Sequence, residues 1–484
     1  MKLAQLFEGV QYKCLQGSME ADVTNLAYDN RRIKEKGLFA CIKGLTVDGH
    51  DFANQAIQAG ATALMVQKPI DGISEDITIV HVDEQETGKA MAIIANKFYH
   101  EPSKELNMIG ITGTNGKTTT TNLVAKIVEM MGEKPGVIGT IENRIGNKRV
   151  EAIHTTPQAF ELQHLLRDMK NESVDVVSME VSSHALDLHR VYGTHYNVGV
   201  FTNLTLDHLD YHHTMENYLN AKAMLFKMCD KGLFNIDDPH VELLMKDATC
   251  KKYTFGIDND ADFKAENVKM SAEGISYTLR YLDEAIEINM AIPGKFSVYN
   301  SLAAAGSCYL AGMSWVDIQK GLNAVEGVRG RFETVKSKDG FYAIIDYAHT
   351  PDALKNVLET IKEFATNEII TVFGCGGDRD GSKRPVMGEI AGRYSTYCVV
   401  TSDNPRTEDP DKIVDQIEPG VIKTGCRYAK IVDRKEGITH ALKRAKKSDI
   451  ILIAGKGHED YQIIGKTKIH FDDVEVVRDF LEAQ

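Results

Sequence analysis

The chain has 484 residues, 43% hydrophobic and 26% charged, with 56 Lys and Arg against 69 Asp and Glu, for a formal net charge of −13. At roughly 150 residues per domain, this length predicts about three domains, each able to bury its own core. The acidic balance excludes a general nucleic-acid binder, which needs a basic face, but not a local basic pocket for a phosphorylated ligand.

In chain order, DFANQAIQAGATALMVQ (51–67) predicts an amphipathic helix, a turn at Gly60 and a strand. KAMAIIANKFYHEPS (89–103) predicts a helix that stops near Pro102, which places a first domain at 1–103. LNMIGIT (106–112), VDVVSME (174–180) and YNVGVFTNL (196–204) are short apolar runs, each followed by polar residues and a helical pattern. That alternation predicts a parallel sheet with chemistry at the carboxyl ends of its strands. ISYTLRYL and AIEINMAI alternate with period two and predict a small antiparallel addition. GVRGRFE (327–333) reads as a linker and a hinge, closing a central domain at 104–330. Beyond it, FYAIIDYAHT, IITVFGCGG, YCVVTSDNPR and DIILIAGKGHE are strand patterns ending in polar residues or glycine. They predict a third, Rossmann-like α/β domain at 331–484.

The eight cysteines are scattered without a CxxC pair, which predicts a reducing compartment rather than a zinc site or a disulfide framework. No run approaches the ~18 apolar residues of a membrane span, and MKLAQLFEGV has neither the apolar core nor the cleavage site of a secretory signal. A cytoplasmic protein, away from membranes, is the expectation.

The strongest local signal is GITGTNGKTTTTNLVAKIVEMMG (110–132). A strand enters a glycine-rich turn, and a lysine, a run of threonines and a helix follow. Backbone N–H groups of such a turn and helix N-terminus cradle phosphate oxygens. Lys117 would reach the terminal phosphates and the Thr118 hydroxyl would ligate Mg²⁺. The usual phosphate loop has an earlier glycine where this chain has Ile111, so the loop reduces to Gly113, Thr114, Asn115, Gly116, Lys117, Thr118 and Thr119. Glu180 and His208 each follow a predicted strand. Together with the loop they suggest a metal site.

GTNGKTT resembles the ATP loop of the Mur ligase family, the ATP-dependent amino-acid ligases of peptidoglycan synthesis. Folylpolyglutamate synthases share a related loop. The resemblance implies ATP as co-substrate and Mg²⁺ held by Thr118, Glu180, His208 and Lys222, the lysine acting as a carbamate. It implies catalytic roles for Lys117, Glu180, His208 and Lys222. It implies nucleotide contacts from Asn300 in PGKFSVYN, from Arg331 and from Asp346 in DYAHTPD; the family usually has Asn where this chain has Ser297. His349 and Lys456 fall in matching motifs near the ATP side.

LAYDNRRIKEKGLFACIKGLTVDGHDF (26–52) resembles the uridine-nucleotide-binding domain of the tripeptide-forming members. Asn30 stands where they have serine, and Asn donates and accepts as Ser does. Thr46, Val47 and Asp48 match a loop bordering the uracil. Thr155 and Thr156 of His154-Thr-Thr-Pro157, Ser182 and Arg190 match positions that contact the nucleotide-sugar substrate.

In SDNPRTEDP (402–410), an aspartate able to accept from an ammonium and an arginine able to grip a carboxylate share one turn. Asp403, Asn404, Pro405 and Arg406 resemble the signature of the family members that add meso-diaminopimelate. Arg379, Gly455 and Glu459 are implied around the same amino acid. Lysine has no distal carboxylate and would leave Arg406 without its partner. The implied reaction joins diaminopimelate to the D-Glu γ-carboxylate of UDP-MurNAc-L-Ala-D-Glu through an acyl phosphate, in a monomer acting on small molecules. The alternatives are a lysine-adding ligase, a folylpolyglutamate-type synthase, and a nucleotide-dependent switch without ligase chemistry.

Overall fold

The computed structural model describes residues 1–44 and 47–483. They form two compact units: Met1–Ala261 with Ala303–Ile318, and Asp262–Leu302 with the chain from Gln319 onward. Among the described residues no helix is long and apolar enough to cross a membrane.

The first unit opens with a sheet in the order Lys13–Gln16, Thr78–His81, Ala61–Val66, Gly37–Cys41, Asn25–Ala27, parallel except at the Lys13–Gln16 edge. Side chains of a strand alternate between faces. Leu38 and Ala40 therefore pack with Ala90, Met91 and Ile94 of the Thr87–Phe98 helix, whereas Phe39 and Cys41 pack with Ala53 and Ala56. The Ala53–Gln58 helix, a turn at Gly60 with φ of +114° and the Ala61–Val66 strand match the expectation for 51–67. The next helix ends at Phe98, and Pro102 opens a short 3-10 turn.

The second sheet of this unit carries parallel strands in the order Pro135–Ile138, Val176–Glu180, Asn107–Thr112, Tyr196–Phe201, Cys229–Asn235, Lys251–Gly256. Two short antiparallel strands, Asn143–Ile145 and Lys148–Val150, extend it at the Pro135–Ile138 side. The strand leading into the glycine turn is thus central. It lies between the strand that ends in Glu180 and the strand that leads to His208. Burial on both faces explains why these strands are nearly continuous apolar runs.

In the second unit, Phe263–Ser271, Gly274–Tyr281 and Glu284–Met290 form the antiparallel addition. A further sheet has the order Glu333–Lys336, Tyr342–Asp346, Ile450–Ala454, Ile369–Phe373, Tyr397–Val400, Arg427–Lys430, parallel except for its first strand. The spatial order departs from the chain order at Ile450–Ala454. Ligands of open α/β sheets bind at such a switch, beyond the carboxyl ends of the strands. The α/β class, the parallel sheets and the small antiparallel addition are as expected from the sequence.

Candidate active site

The glycine turn is held open by its neighbours. Gly113, at φ of +148°, has no room for a Cβ, which would strike the Thr202 hydroxyl. Gly116, at φ of +88°, caps the Lys117–Met130 helix. Ile111 is fully buried inside the central strand, so the missing early glycine is a core position and not part of the loop. Asn203 and Thr202, just past the neighbouring strand, brace the turn. Thr114 N–H donates to Asn203 O at 2.8 Å, Asn115 N–H to Asn203 Oδ1 at 2.9 Å, and the Thr202 hydroxyl to Asn115 O at 2.6 Å.

Two lysines converge on one carbonyl. Lys117 Nζ donates to Gly113 O and Thr114 O, each at 2.9 Å, and Lys222 Nζ donates to Gly113 O at 2.8 Å. Lys222 is 1% exposed, and its ammonium lies 4.3 Å from the centre of the Tyr218 ring. Burial, and then the charge of Lys117, push the Lys222 amine well below the ordinary lysine range.

Glu180 is 1% exposed and forms the hub of the site. Its Oε2 accepts from the Thr118 hydroxyl at 3.0 Å and the Thr140 hydroxyl at 3.1 Å, and its Oε1 accepts from Thr140 N–H at 2.8 Å. A Cβ at Gly139 would strike Glu180 Oε1, so a larger residue there would displace the carboxylate. Thr140 Oγ1 lies 3.0 Å from Thr155 Oγ1. The Thr156 hydroxyl donates to the Glu180 carbonyl at 2.8 Å and accepts from Ser182 N–H at 3.1 Å, and Arg190 Nη1 donates to Thr156 O at 3.2 Å. One hydrogen-bonded network therefore joins the phosphate loop to Thr155, Thr156, Ser182 and Arg190. Thr140 escaped the sequence reading. It follows the Pro135–Ile138 strand, so the rule that chemistry gathers at strand ends would have found it.

His208 adopts a left-handed backbone, at φ of +54°, before the Leu209–His212 turn. Its ring meets His184 edge-on at 4.9 Å, and Asp207 Oδ2 lies 3.6 Å from its Nε2. Burial lowers its pKa against the pull of Asp207, and Lys117 and Lys222 act in the same direction as burial. Among the described residues no group of three or more His, Cys, Asp or Glu is placed to hold a metal ion. What the site does offer is hard oxygen donors, the Thr118 hydroxyl of the loop and the Glu180 carboxylate at the neighbouring strand end. That set suits Mg²⁺ shared with substrate phosphates.

In the uridine region, Asn30 Nδ2 donates to Gln55 Oε1 at 2.8 Å, and Arg31 pairs with Asp29 at 2.7 Å. Asp48 accepts from Lys68 Nζ at 2.6 Å and from His50 N–H at 3.0 Å, which holds its carboxyl well below the usual range. Val47 is exposed, and Thr46 lies outside the described residues.

The second unit contains the remaining candidates. Asn300 is buried in the Lys295–Leu310 helix, and the Ser297 hydroxyl is tied to Pro293 O at 2.8 Å. Arg331 lies 5.0 Å from the centre of the Tyr347 ring. Asp346 accepts from Phe332 N–H at 2.8 Å and Ala348 N–H at 2.9 Å, and burial raises its pKa against the pull of Arg331. His349 Nδ1 lies 2.8 Å from Tyr347 O, and burial lowers its pKa.

The DNPR segment is more than a turn. Arg406, at φ of +51°, bridges to Ile464, and its Nη1 donates to Gly377 O at 2.9 Å. Asn404 Nδ2 donates to Glu459 Oε2 at 2.8 Å, and Asn404 Oδ1 accepts from Ile463 N–H at 2.9 Å. Gln462 Nε2 donates to Asp403 O at 2.6 Å. A Cβ at Gly455 would collide with Asp403 Oδ2. Glu459 Oε2 also accepts from the fully buried Lys456 at 3.1 Å. Arg379 stays exposed, its Nη1 on Asp378 O at 3.1 Å. Asp403, Asn404, Pro405, Arg406, Gly455 and Glu459 are thus gathered in one place. Gln462 and Ile463, which help to gather them, gave no signal in the sequence.

A phosphate loop on a central parallel strand, with acidic and threonine residues at the neighbouring strand ends, defines a nucleotide-binding α/β protein. The chain belongs to the Mur ligase family. The "Mur ligase family, catalytic domain" description matches residues 22–99, "Mur ligase middle domain" residues 111–308, and "Mur ligase, glutamate ligase domain" residues 330–457. A relative in Clostridium acetobutylicum, named UDP-N-acetylmuramoyl-L-alanyl-D-glutamate–2,6-diaminopimelate ligase 1, is 47% identical over 100% of this chain and 99% of its own. A Bacillus cereus protein named as the same kind of ligase is 46% identical over 96% of this chain and 95% of its own. A solved structure with that ligase name superposes with a TM-score of 0.72 at 30% identity, covering 100% of this chain and 99% of the other. A Mycobacterium tuberculosis folylpolyglutamate synthase shares the fold at a TM-score of 0.61 and 18% identity, over 75% of this chain and 92% of its own.

Proposed function

We infer that the chain is an ATP-dependent ligase that adds 2,6-diaminopimelate to the D-Glu γ-carboxylate of UDP-N-acetylmuramoyl-L-alanyl-D-glutamate in peptidoglycan synthesis. The observation that carries the reading is the assembled Asp403–Arg406 turn with Gly455 and Glu459, in a chain that also holds a complete phosphate loop. It is supported by full-length relatives that carry this ligase name. The family ranges support a functional division at 1–103, 104–330 and 331–484. The reading places the protein in the cytoplasm, where ATP and the UDP-linked precursor are found.

The γ-carboxylate attacks the ATP γ-phosphate, giving an acyl phosphate and ADP. The amine of diaminopimelate then attacks the acyl carbon and inorganic phosphate leaves. Lys117 turns from its loop carbonyls to the phosphates, and the loop amides that Asn203 does not engage, with the N-terminus of the Lys117–Met130 helix, hold the oxygens that gain charge. Thr118, Glu180, His208 and Lys222 would hold Mg²⁺, which screens the charge of the transferring phosphoryl group. Burial and the charge of Lys117 lower the Lys222 pKa and so raise the share of the free amine, the form that reacts with carbon dioxide, and this favours Lys222 as its carbamate. Asn300, Arg331 and Asp346 serve the nucleotide. Asn30, Thr46, Thr155, Thr156, Ser182 and Arg190 serve the UDP-sugar peptide. Asp403 meets an ammonium and Arg406 the distal carboxylate of the incoming amino acid, with Asn404, Arg379, Gly455 and Glu459 around them.

The test is ADP release with UDP-MurNAc-L-Ala-D-Glu, ATP and Mg²⁺, comparing meso-diaminopimelate with L-lysine. Turnover with diaminopimelate alone is expected. Turnover with lysine would keep the ligase and remove the role given to Arg406, and silence with both would remove the ligase reading.

A further inference from the structure

Arg384 belongs to no motif read from the sequence, yet it is 2% exposed and makes four hydrogen bonds. It projects from the Lys383–Tyr394 helix. Its Nη1 donates to Glu408 Oε2 at 2.9 Å and Gln416 Oε1 at 2.7 Å, and its Nη2 to Glu408 Oε1 at 2.9 Å and Gly376 O at 3.3 Å. Gly376 and Gly377 form the segment on which Arg406 rests. Arg384 grips the first carbonyl of that pair, and Arg406 donates to the second at 2.9 Å.

The two loops are pressed together at this point. Gly377 N–H donates to Asn404 O at 2.9 Å, and a Cβ at Gly377 would collide with Pro405 O. A Cβ at Gly376 would meet Arg406 Nη1 at 2.9 Å. Glu408, held by Arg384, accepts from Asp378 N–H at 2.6 Å. Asp378 in turn accepts from the Thr407 hydroxyl at 2.6 Å and Thr407 N–H at 3.2 Å. Arg384 and Glu408 therefore tie the Gly376–Asp378 segment to the loop that carries Arg406, whose Nη1 rests on the Gly377 carbonyl.

We propose that Arg384, through the bidentate Glu408 pair and the Gly376 carbonyl, is a positioning residue that sets the aim of Arg406 and with it the choice of acceptor amino acid. The proposal rests on the role given to Arg406 above. A guanidinium recognises a carboxylate only along its fork, so a small tilt of Arg406 removes one of two parallel hydrogen bonds. The Arg406 backbone is left-handed and bonded to Ile463 and Gly465, and its side chain is held by one carbonyl. The side chain thus takes its aim from the Gly376–Gly377 segment it rests on, and Arg384 holds that segment through the Gly376 carbonyl at 3.3 Å.

The test is steady-state kinetics on the full chain, with meso-diaminopimelate and L-lysine as acceptors and with ATP varied separately. In Arg384→Gln the KM for diaminopimelate rises about tenfold, as expected for one charged hydrogen bond lost at the acceptor. The KM for ATP stays as in the wild type, and the preference for diaminopimelate over lysine shrinks. Arg384→Lys recovers only part of that preference, because an ammonium has no fork. Glu408→Gln, at a residue whose side chain is one-third exposed, gives the same split to a smaller extent and remains readable if Arg384→Gln does not fold. A folded Arg384→Gln with wild-type acceptor KM, or an equal loss for ATP and acceptor, overturns the proposal. A wild-type protein that ignores diaminopimelate overturns the Arg406 role itself, which separates the two failures.

Discussion

The phosphate loop is a continuous run, Gly113 to Thr119, between one strand and one helix, whereas the acceptor site draws on residues 376–379, 403–408, 455–459 and 462–464. In the first, the backbone course is set mainly by positive φ at two glycines and the start of a helix, with Thr202 and Asn203 bracing it from the neighbouring strand end. In the second, no residue holds its own position. Asn404 is fixed by Glu459 and Ile463, Asp403 by Gln462, and Arg406 by Gly377. A local site tolerates changes elsewhere but loses its chemistry with one residue. An assembled site has several partial failures, each shifting selectivity before it abolishes turnover.

The sharpest way to separate the two is Lys117→Met. It removes the charge that meets the phosphates, and kcat should fall by at least about 1,000-fold with either acceptor. ADP release measured with diaminopimelate and with lysine checks this; a loss confined to one acceptor would break the comparison. Arg406→Lys should act on the other side. A point charge replaces the fork, and kcat/KM for diaminopimelate should drop by about 100-fold while the KM for ATP is unchanged.

Thr140→Val probes the bridge between the phosphate loop and the HTTP segment. It deletes the hydroxyl that touches both Glu180 and Thr155 and keeps the backbone N–H on Glu180. A loss of about tenfold in kcat/KM for the UDP-sugar peptide is expected, read by initial rates at saturating ATP. The smallest effect is expected at Asn30→Ser, which exchanges one small donor–acceptor side chain for another. Both side chains donate and accept, so the KM for the UDP-sugar peptide should stay within about twofold. A large change would show that the Asn30 to Gln55 hydrogen bond shapes the uridine site in this chain.

Much of the fold was legible in the chain itself. Buried parallel strands are apolar runs ending in polar residues, and the runs at 106–112, 174–180 and 196–204 correspond to Asn107–Thr112, Val176–Glu180 and Tyr196–Phe201. The glycine turn was legible for the same reason, because its geometry depends on consecutive residues. Arg384, Glu408 and Gln462 carried no such mark, and Thr140 carried only its place just after a strand. Each is an ordinary polar residue whose partner lies distant in sequence: Glu180 is 40 residues from Thr140, and Glu408 is 24 from Arg384.

The sequence by itself determined the α/β class, the phosphate loop and the chemistry on offer in DNPR, since period, glycine placement and side-chain type are properties of short segments. Only the tertiary structure decided that the strand of the phosphate loop lies between those of Glu180 and His208. It likewise decided that Lys222 is buried beside Lys117, which lowers its proton affinity, and that Arg384 and Arg406 donate to the adjacent carbonyls of Gly376 and Gly377. Burial and long-range pairing set these features, and neither is a property of any segment taken alone.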